Sequence, residues 1–478
     1  MKLSQNFMSD FTFFIYDYES FGINPATDRP AQFAGIRTDA DFNVIGEPVM
    51  LYCKQTNDYL PSPEAVMVTG ITPQKCNEKG LPEPEFAAAV LAEFSRPNTC
   101  VMGYNNIRYD DEMTRYTFYR NFIDPYEYSW KNGNSRWDLL DVVRACYALR
   151  PEGIEWAYDD DGMPSFRLEK LTQANGIAHE NAHDAMSDVY ATIAMAKLIK
   201  RKQPKLFQYF FENRGKREVE RLINVAEMTP LVHVSGMLGN YRGNCSWVAP
   251  VVWHPVNQNA VIVCDLSQNI DDLLNKSVEE LRTALYTKKE ELEAQGKSPV
   301  PLKLVHINKC PILAPAKTLL PENAERLGID RQFCLENLQK LRQSAKVRSK
   351  IEEIFREERQ FEPSDNVETE LYSGFFSNND RNNLAILRQL PPEKLAEHGL
   401  TFEDKRIPDL IFHYRARHFF KTLTRSEQLQ WEKYRRRKLE KEATDFEQRM
   451  QNLVMEYTGN EDKLDLLQQV YTYASKLL

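Results

Sequence analysis

Phe11-Thr12-Phe13-Phe14-Ile15-Tyr16-Asp17-Tyr18-Glu19 is the stretch that decides how this chain is read. Its apolar part, Phe11 to Tyr16, has the unbroken hydrophobicity of a strand buried on both faces. Alternate residues of a strand share a side, so Asp17 and Glu19 project together from the end of that strand. Ser20-Phe21-Gly22 then turns the chain away. Two carboxylates held side by side repel unless a cation or a proton lies between them. Their oxygens are hard donors, suited to Mg²⁺ or Mn²⁺ rather than Zn²⁺ or Cu²⁺. An isolated Asp-x-Glu is better explained as two solvated acids, so the reading rests on what other segments add.

Around this strand, residues 9–203 read as an α/β domain. Further strands are expected at 29–37, 47–52 and 99–104, with helices over 84–94, from Asp110, over 139–149 and over 184–202. The last has Met186, Val189, Ile193, Ala196 and Ile199 three or four apart, the spacing of a core-facing helix, and Gln203-Pro204 ends it. Residues 204–358 change character. Short strands at 231–234, 246–249, 260–264 and 302–307, with Gly and Asn turns, predict a small β-rich domain carrying inserted helices. Residues 361–478 are polar, charged and helical.

The bulk composition narrows the class without naming a function. A chain of 478 residues with 42% hydrophobic and 27% charged residues is an ordinary globular protein of about three domains. No apolar run approaches the ~18 residues of a membrane span, and the N-terminus leads into no signal-peptide core. Eight scattered cysteines without a Cys-x-x-Cys fit reduced thiols, so a cytoplasmic protein is expected. The net charge of −8 argues against indiscriminate coating of nucleic acid but leaves room for a local basic track.

Three further residues extend Asp17 and Glu19 into a pattern. Asp110 closes Asn106-Ile107-Arg108-Tyr109-Asp110, directly after a strand and at the start of a helix. Asp188 falls on the first turns of the last helix of the domain. His183 lies five residues earlier, and five helical steps would turn it about 140° away from Asp188; it therefore belongs to the loop before the helix, free to reach a water. Four carboxylates from three segments suit two divalent ions about 3.5–4 Å apart on a phosphodiester. A histidine titrating near neutrality suits a general base for the attacking water.

The ordered set resembles the DEDD-type 3′→5′ exonucleases, histidine subgroup, which have an RNase H-like fold. Segments beyond the motifs, at 134–141, 164–169, 231–237 and 304–311, are similar to the bacterial exodeoxyribonuclease I family over essentially the whole chain. The resemblance implies an RNase H-like exonuclease domain, an SH3-like β-rich domain and an all-helical C-terminal domain that close around single-stranded DNA. It implies processive 3′→5′ hydrolysis to 5′-mononucleotides in DNA repair and recombination. Asp17, Glu19, Asp110 and Asp188 would bind two Mg²⁺ ions, with Mn²⁺ able to substitute, and His183 would be the base. Glu19 and Arg167 would meet the terminal nucleotide, and Arg115, Tyr126, Trp130 and Arg144 would extend the DNA track. A monomer is expected, with the C-terminal tail of single-stranded DNA-binding protein as a partner. An RNA-trimming exonuclease shares the same active-site pattern, although such enzymes are usually short.

Three features stay open. His179-Glu180-Asn181-Ala182-His183 matches the His-Glu-x-x-His of zinc peptidases, but Asn175-Gly176 just upstream and Asn181 oppose a helix there. On the nuclease reading, His179 is only part of the approach to the loop. Tyr126, Tyr128 and Trp130, two apart, form either a base-stacking edge or part of the core. From Tyr414 to Lys438, nine Lys/Arg stand against two Glu, either a phosphate-binding surface or a solvated helix face.

Overall fold

The computed structural model describes residues 10–179, 184–357, 364 and 366–478. The chain gathers into two compact units. One holds Met1–Arg136, His179–Ile193 and Pro363–Leu478; the other holds Trp137–Ala178 and Ala194–Glu362.

The first unit is built on a sheet of β1 (Thr12–Ser20), β2 (Pro30–Thr38), β3 (Val49–Tyr52), β4 (Thr99–Gly103) and the start of β5 (Ser135–Asp138), in the order β3-β2-β1-β4-β5. Central β1 continues through Ser20, so Asp17 and Glu19 lie inside the strand rather than beyond it. It pairs antiparallel with β2, placing Asp17 opposite Ala34 and Glu19 opposite Gln32. Its parallel ladder with β4 runs only from Thr12↔Thr99 to Ile15↔Met102. Beyond that point the two strands part, and the carboxyl ends of parallel strands are where α/β sheets build their sites.

Strand alternation sorts β1 by face. Phe14, Tyr16 and Tyr18 join Phe33, Phe86, Phe94, Met113 and Phe118 in one core. Phe86 and Phe94 come from α3 (Glu83–Phe94), Met113 and Phe118 from α4 (Asp110–Arg120). Before these come α1 (Pro63–Thr69) and α2 (Pro73–Lys79), which the reading of the sequence above does not include. Each is a seven-residue helix with proline in its first turn. Ser62 and Thr72 cap them, accepting the N–H groups of Ala65 and Lys75 at 3.3 Å, so the start signals were local.

The second unit contains α5 (Leu139–Leu149) and α6 (Leu168–Ala174), while α7 (Ala185–Lys202) begins in the first unit. The second unit also holds an antiparallel sheet of β6 (Leu231–Val234), β7 (Cys245–Trp253), β8 (Ala260–Asp265), β9 (Leu302–His306) and β10 (Ile312–Pro315), ordered β9-β8-β7-β6-β10. Three helices are inserted between β8 and β9. β10 is a strand the sequence concealed between Pro311 and Pro315; it pairs at the sheet edge, where proline is tolerated.

The helices of the C-terminal segment belong to the first unit. Leu439, Phe446, Met450 and Leu453 of Arg425–Glu456, with Leu467, Val470 and Ala474 of Glu461–Leu477, bury Phe21, Tyr59, Val66, Met67 and Ile71. Beside this apolar contact lies a buried ionic one. Arg417 donates to Asp58 at 2.7 Å and meets Glu368 at 2.7 Å. Arg29 reaches Glu368 at 2.8 Å, and Lys438 donates to the Asp58 carbonyl at 2.8 Å. Burial alone would raise the Asp58 and Glu368 carboxyls. Arg417 with Lys438 at Asp58, and Arg417 with Arg29 at Glu368, outweigh that and hold both well below the carboxylate range.

Removing one partner of such a cluster leaves buried charge without compensation. Arg417→Met is therefore expected to cost about 3–5 kcal/mol in chemical denaturation. The depressed carboxyls stabilise the fold fully above their unfolded values, near pH 4, and lose that contribution as pH falls through and below them. A plot of stability against pH should descend steeply below about pH 4 in the native chain and less steeply in the variant.

Candidate active site

The site is assembled where β1 and β4 part. Ser20 and Phe21 lead into Gly22, where a Cβ would stand 2.1 Å from the Asp28 carboxylate, so a larger residue would have to push Asp28 off the Asn24 N–H and the Tyr59 hydroxyl. On the other side, the Tyr18 N–H donates to Asp110 Oδ1 at 3.1 Å. The first residue of α4 is thereby fastened between Asp17 and Glu19. The third segment arrives through Gln32, the cross-strand neighbour of Glu19, whose Oε1 accepts the Ala185 N–H at 3.3 Å. Asp184 caps that helix by accepting the Ser187 N–H at 3.2 Å, and Asp188 follows in the first turn.

Donor oxygens of Asp17, Glu19 and Asp188 all lie within 4.8 Å of one another. Asp110 is outside that trio but acts on it electrostatically. Burial, then Asp110, Glu19 and Asp188, push the Asp17 carboxyl well above its ordinary value. Burial, then Asp188 and Asp110, push Glu19 up to about 9. Asp184 pushes both in the same direction. A half-buried cluster of acids in this state favours whatever brings positive charge among them, and its all-oxygen donors fit hard divalent cations.

His183 and the rest of the His-Glu-x-x-His stretch after His179 lie outside the described residues. His179 itself is not incidental. Its Nε2 stands 2.6 Å from Asp188 Oδ1, with the ring almost fully buried. It lies outside both α6 and α7, so it is not on a zinc-binding helix of the peptidase kind. Sequence reasoning missed its partner because His179 and Asp188 are nine residues apart, a spacing no single helix turn explains.

The expected DNA track divides. Arg115 is buried, bonded to Glu112 at 3.0 Å and donating to the Tyr372 hydroxyl at 3.2 Å, with its guanidinium 5.2 Å from the Tyr126 ring centre. Trp130 is 61% exposed, whereas Tyr128 is core. Residues 127–129 form a 3₁₀ turn, so spacing by two did not place the three aromatics on one side. Arg144 pairs with Asp141 at 2.7 Å and lies 5.9 Å from the Phe166 ring centre. Arg167 is exposed just before α6; Arg144 and Arg167 both belong to the second unit. The 414–438 run divides, with Lys421, Arg425, Lys433, Arg436 and Arg437 exposed and the other four cations turned inward. Arg415, Arg417 and Lys438 are committed to internal ion pairs, and Arg435 donates to the carbonyls of Asn57 and Leu477.

Family models match in sequence order: "Exonuclease" over residues 14–196, "Exonuclease I SH3-like domain" over 214–357 and "Exonuclease I C-terminal domain" over 365–477. Exodeoxyribonuclease I of Haemophilus influenzae is 79% identical over 471 residues, covering 98% of this chain and 100% of that protein. This chain belongs to the exodeoxyribonuclease I family. It is thus a nuclease, with an exonuclease domain followed by SH3-like and helical C-terminal domains. Among solved structures, Escherichia coli exonuclease I in complex with a dA16 oligonucleotide superposes with a TM-score of 0.96, at 55% identity, covering 98% of this chain and 100% of that one. A structure of SSB/exonuclease I with the inhibitor CFAM gives 0.92 at 53% identity, covering 98% and 100%.

The contact between His179 and Asp188 yields a prediction. Groups that hold a metal-binding carboxylate in place typically account for 10–100-fold in metal affinity or activity. His179→Ala should lower turnover by at least tenfold while leaving the melting temperature within a few degrees, as steady-state assays beside thermal denaturation would show.

Proposed function

We propose that this protein is a Mg²⁺-dependent exonuclease that removes 5′-mononucleotides from the 3′ end of single-stranded DNA. The observation that carries the reading is the convergence of Asp17, Glu19 and Asp188 within 4.8 Å, with Asp110 fastened to the strand between the first two. The oligonucleotide complex of the E. coli relative supports single-stranded DNA as the substrate. Asp17, Glu19, Asp110 and Asp188 would hold two divalent ions, for which Mn²⁺ can substitute. When bound, the ions supply positive charge to the attacking and leaving oxygens of the phosphodiester. His183 takes the proton from the attacking water, and His179 keeps Asp188 aimed at the site. Glu19 and Arg167 receive the terminal nucleotide. Arg115, Tyr126, Trp130 and Arg144 guide the strand, Arg115 already fixed by Glu112 and Tyr372 before DNA arrives.

The same reading divides the chain into domains at 9–203, 204–358 and 361–478. It makes the enzyme a processive cytoplasmic monomer that docks the C-terminal tail of single-stranded DNA-binding protein. The SSB/exonuclease I relative supports that partner.

Strands labelled at either end decide polarity and substrate. A 3′ label should be released at once as mononucleotide and a 5′ label only at the end of digestion, with duplex and RNA resistant; early release of the 5′ label would overturn the assignment. Asp17→Asn and Asp188→Ala should abolish hydrolysis while retaining the strand, since removing one of several repelling acids should not unfold the site. His183→Ala should lower turnover by roughly 10²–10⁴-fold and remove the rise of rate with pH through the imidazole range, with bound metal unchanged.

A further inference from the structure

The first turn of α4 carries three acids in succession, Asp110, Asp111 and Glu112. Acids at a helix N-terminus are ordinarily explained by the helix dipole. That account does not cover Asp111, whose side chain has no exposure at all. Successive helical residues point about 100° apart. Asp110 accordingly meets β1, Glu112 meets Arg115, and Asp111 turns into the protein.

Inside, its carboxylate collects donors from three other segments. Oδ1 accepts the Tyr16 hydroxyl at 2.5 Å and the Asn106 amide at 3.3 Å, and Oδ2 takes the guanidinium of Arg136. Tyr16 is the β1 residue immediately before Asp17. Asn106 holds the end of β4, its Oδ1 accepting the Gly103 N–H at 3.0 Å, and its carbonyl accepts the Asp111 N–H at 2.8 Å. The packing there leaves no slack: a Cβ on Gly103 would stand 2.8 Å from both the Tyr16 carbonyl oxygen and the Asn106 Cβ. Arg136 lies on β5. One buried carboxylate therefore ties the N-terminus of α4 to β1, to the β4 exit and to β5.

We propose that Asp111 is a positioning residue for the metal-binding carboxylate of Asp110. The proposal rests on the reading of Asp110 as a metal ligand. A buried ion pair is expensive in stability terms and is replaceable by apolar packing, so its presence beneath the site calls for a role that apolar packing does not fill. Orientation is such a role. A carboxylate about 5 Å from the helix axis moves about 1 Å when the helix rolls by roughly 12°. A 1 Å misplacement at a reacting centre costs on the order of a hundredfold in rate. Tyr16, Asn106 and Arg136 grip Asp111 from different directions and oppose that roll.

The test measures Mn²⁺ binding to the full-length protein by electron paramagnetic resonance, beside kcat and KM on a short oligonucleotide and the melting temperature. Asp111→Asn keeps the shape but removes the charge facing Arg136. Tyr16→Phe keeps the ring in its core and removes only the hydroxyl, so it reports even where Asp111→Asn fails to fold. Both should weaken Mn²⁺ binding and lower kcat, about tenfold or more for Asp111→Asn and about threefold for Tyr16→Phe, with KM within twofold. Asp110→Asn serves as the reference. If it weakens Mn²⁺ binding while folded Asp111→Asn and Tyr16→Phe bind Mn²⁺ and turn over normally, with only a lower melting temperature, the positioning role is refuted. If Asp110→Asn itself binds Mn²⁺ normally, the metal-ligand reading fails instead.

Discussion

The hydrogen bond from the Tyr18 N–H to Asp110 Oδ1 is the interaction on which the site depends. β1 is paired on both sides only as far as Ile15, because β4 leaves it after Met102. Backbone donors beyond that point must find a partner or carry the cost of an unsatisfied group. Here the partner for Tyr18 is a side chain that the next segment brings back. The chain turns out of β4 through Asn105, in the left-handed conformation that asparagine tolerates, and re-enters as α4 with Asp110 at its start. A gap in a β-ladder is thus closed by the carboxylate of Asp110. The same contact fixes the distance between the first and second acidic motifs.

Bringing these acids together runs against stability. Burial, then Asp188 and Asp110 beside it, push Glu19 up to about 9, so the fold opposes its charge. Strain of this kind persists where surrounding structure over-determines the geometry. That support is visible on every side: the β1–β2 ladder through Glu19, the Gln32 contact to the start of α7, and the apolar contacts of the C-terminal helices against Phe21 and Tyr59. Arg417 and Arg29 do the opposite elsewhere in the unit, where Asp58 and Glu368 sit among cations and are depressed. Carboxylates of one unit are therefore pushed in opposite directions, upward at the site and downward beside Arg417.

The parts of this plan that are periodic or adjacent were legible in the sequence. The apolar run ending in Asp17-Tyr18-Glu19 placed two acids on one face, and the spacing of Met186, Val189 and Ile193 placed Asp188 early on a helix. Residues whose role depends on a distant partner were not legible. His179 matters because Asp188 stands beside it, and Asp111 because Tyr16 and Arg136 converge on it. The basic run near the C-terminus could not be divided for the same reason. Composition cannot tell a cation facing solvent from one meeting Asp58, a residue more than three hundred positions earlier. Tyr126, Tyr128 and Trp130 stayed open for a different cause, since a period of two carries meaning only on a strand and a 3₁₀ turn runs through residues 127–129.

The C-terminal segment is more than a later addition to the exonuclease core, and α4 shows why. Its first residue, Asp110, is the proposed metal ligand bonded to β1, and Arg115 lies five residues on, a rise of about 7.5 Å along the axis. Beyond that, Tyr116 and Tyr119, with Phe122 just past the helix, are buried among Leu371, Leu384, Leu410 and Tyr414. Arg115 is itself held from both sides of that seam, by Glu112 of the same helix and by Tyr372 of the C-terminal segment. Tyr126, under the Arg115 guanidinium, meets Phe375 edge-on at 5.6 Å. One helix therefore sets both the position of the proposed metal ligand Asp110 and that of the proposed track arginine, and the C-terminal segment packs against its far end. Loosening that anchor would shift both ends together, so on the proposed reading the acid and the track arginine answer to one and the same packing contact.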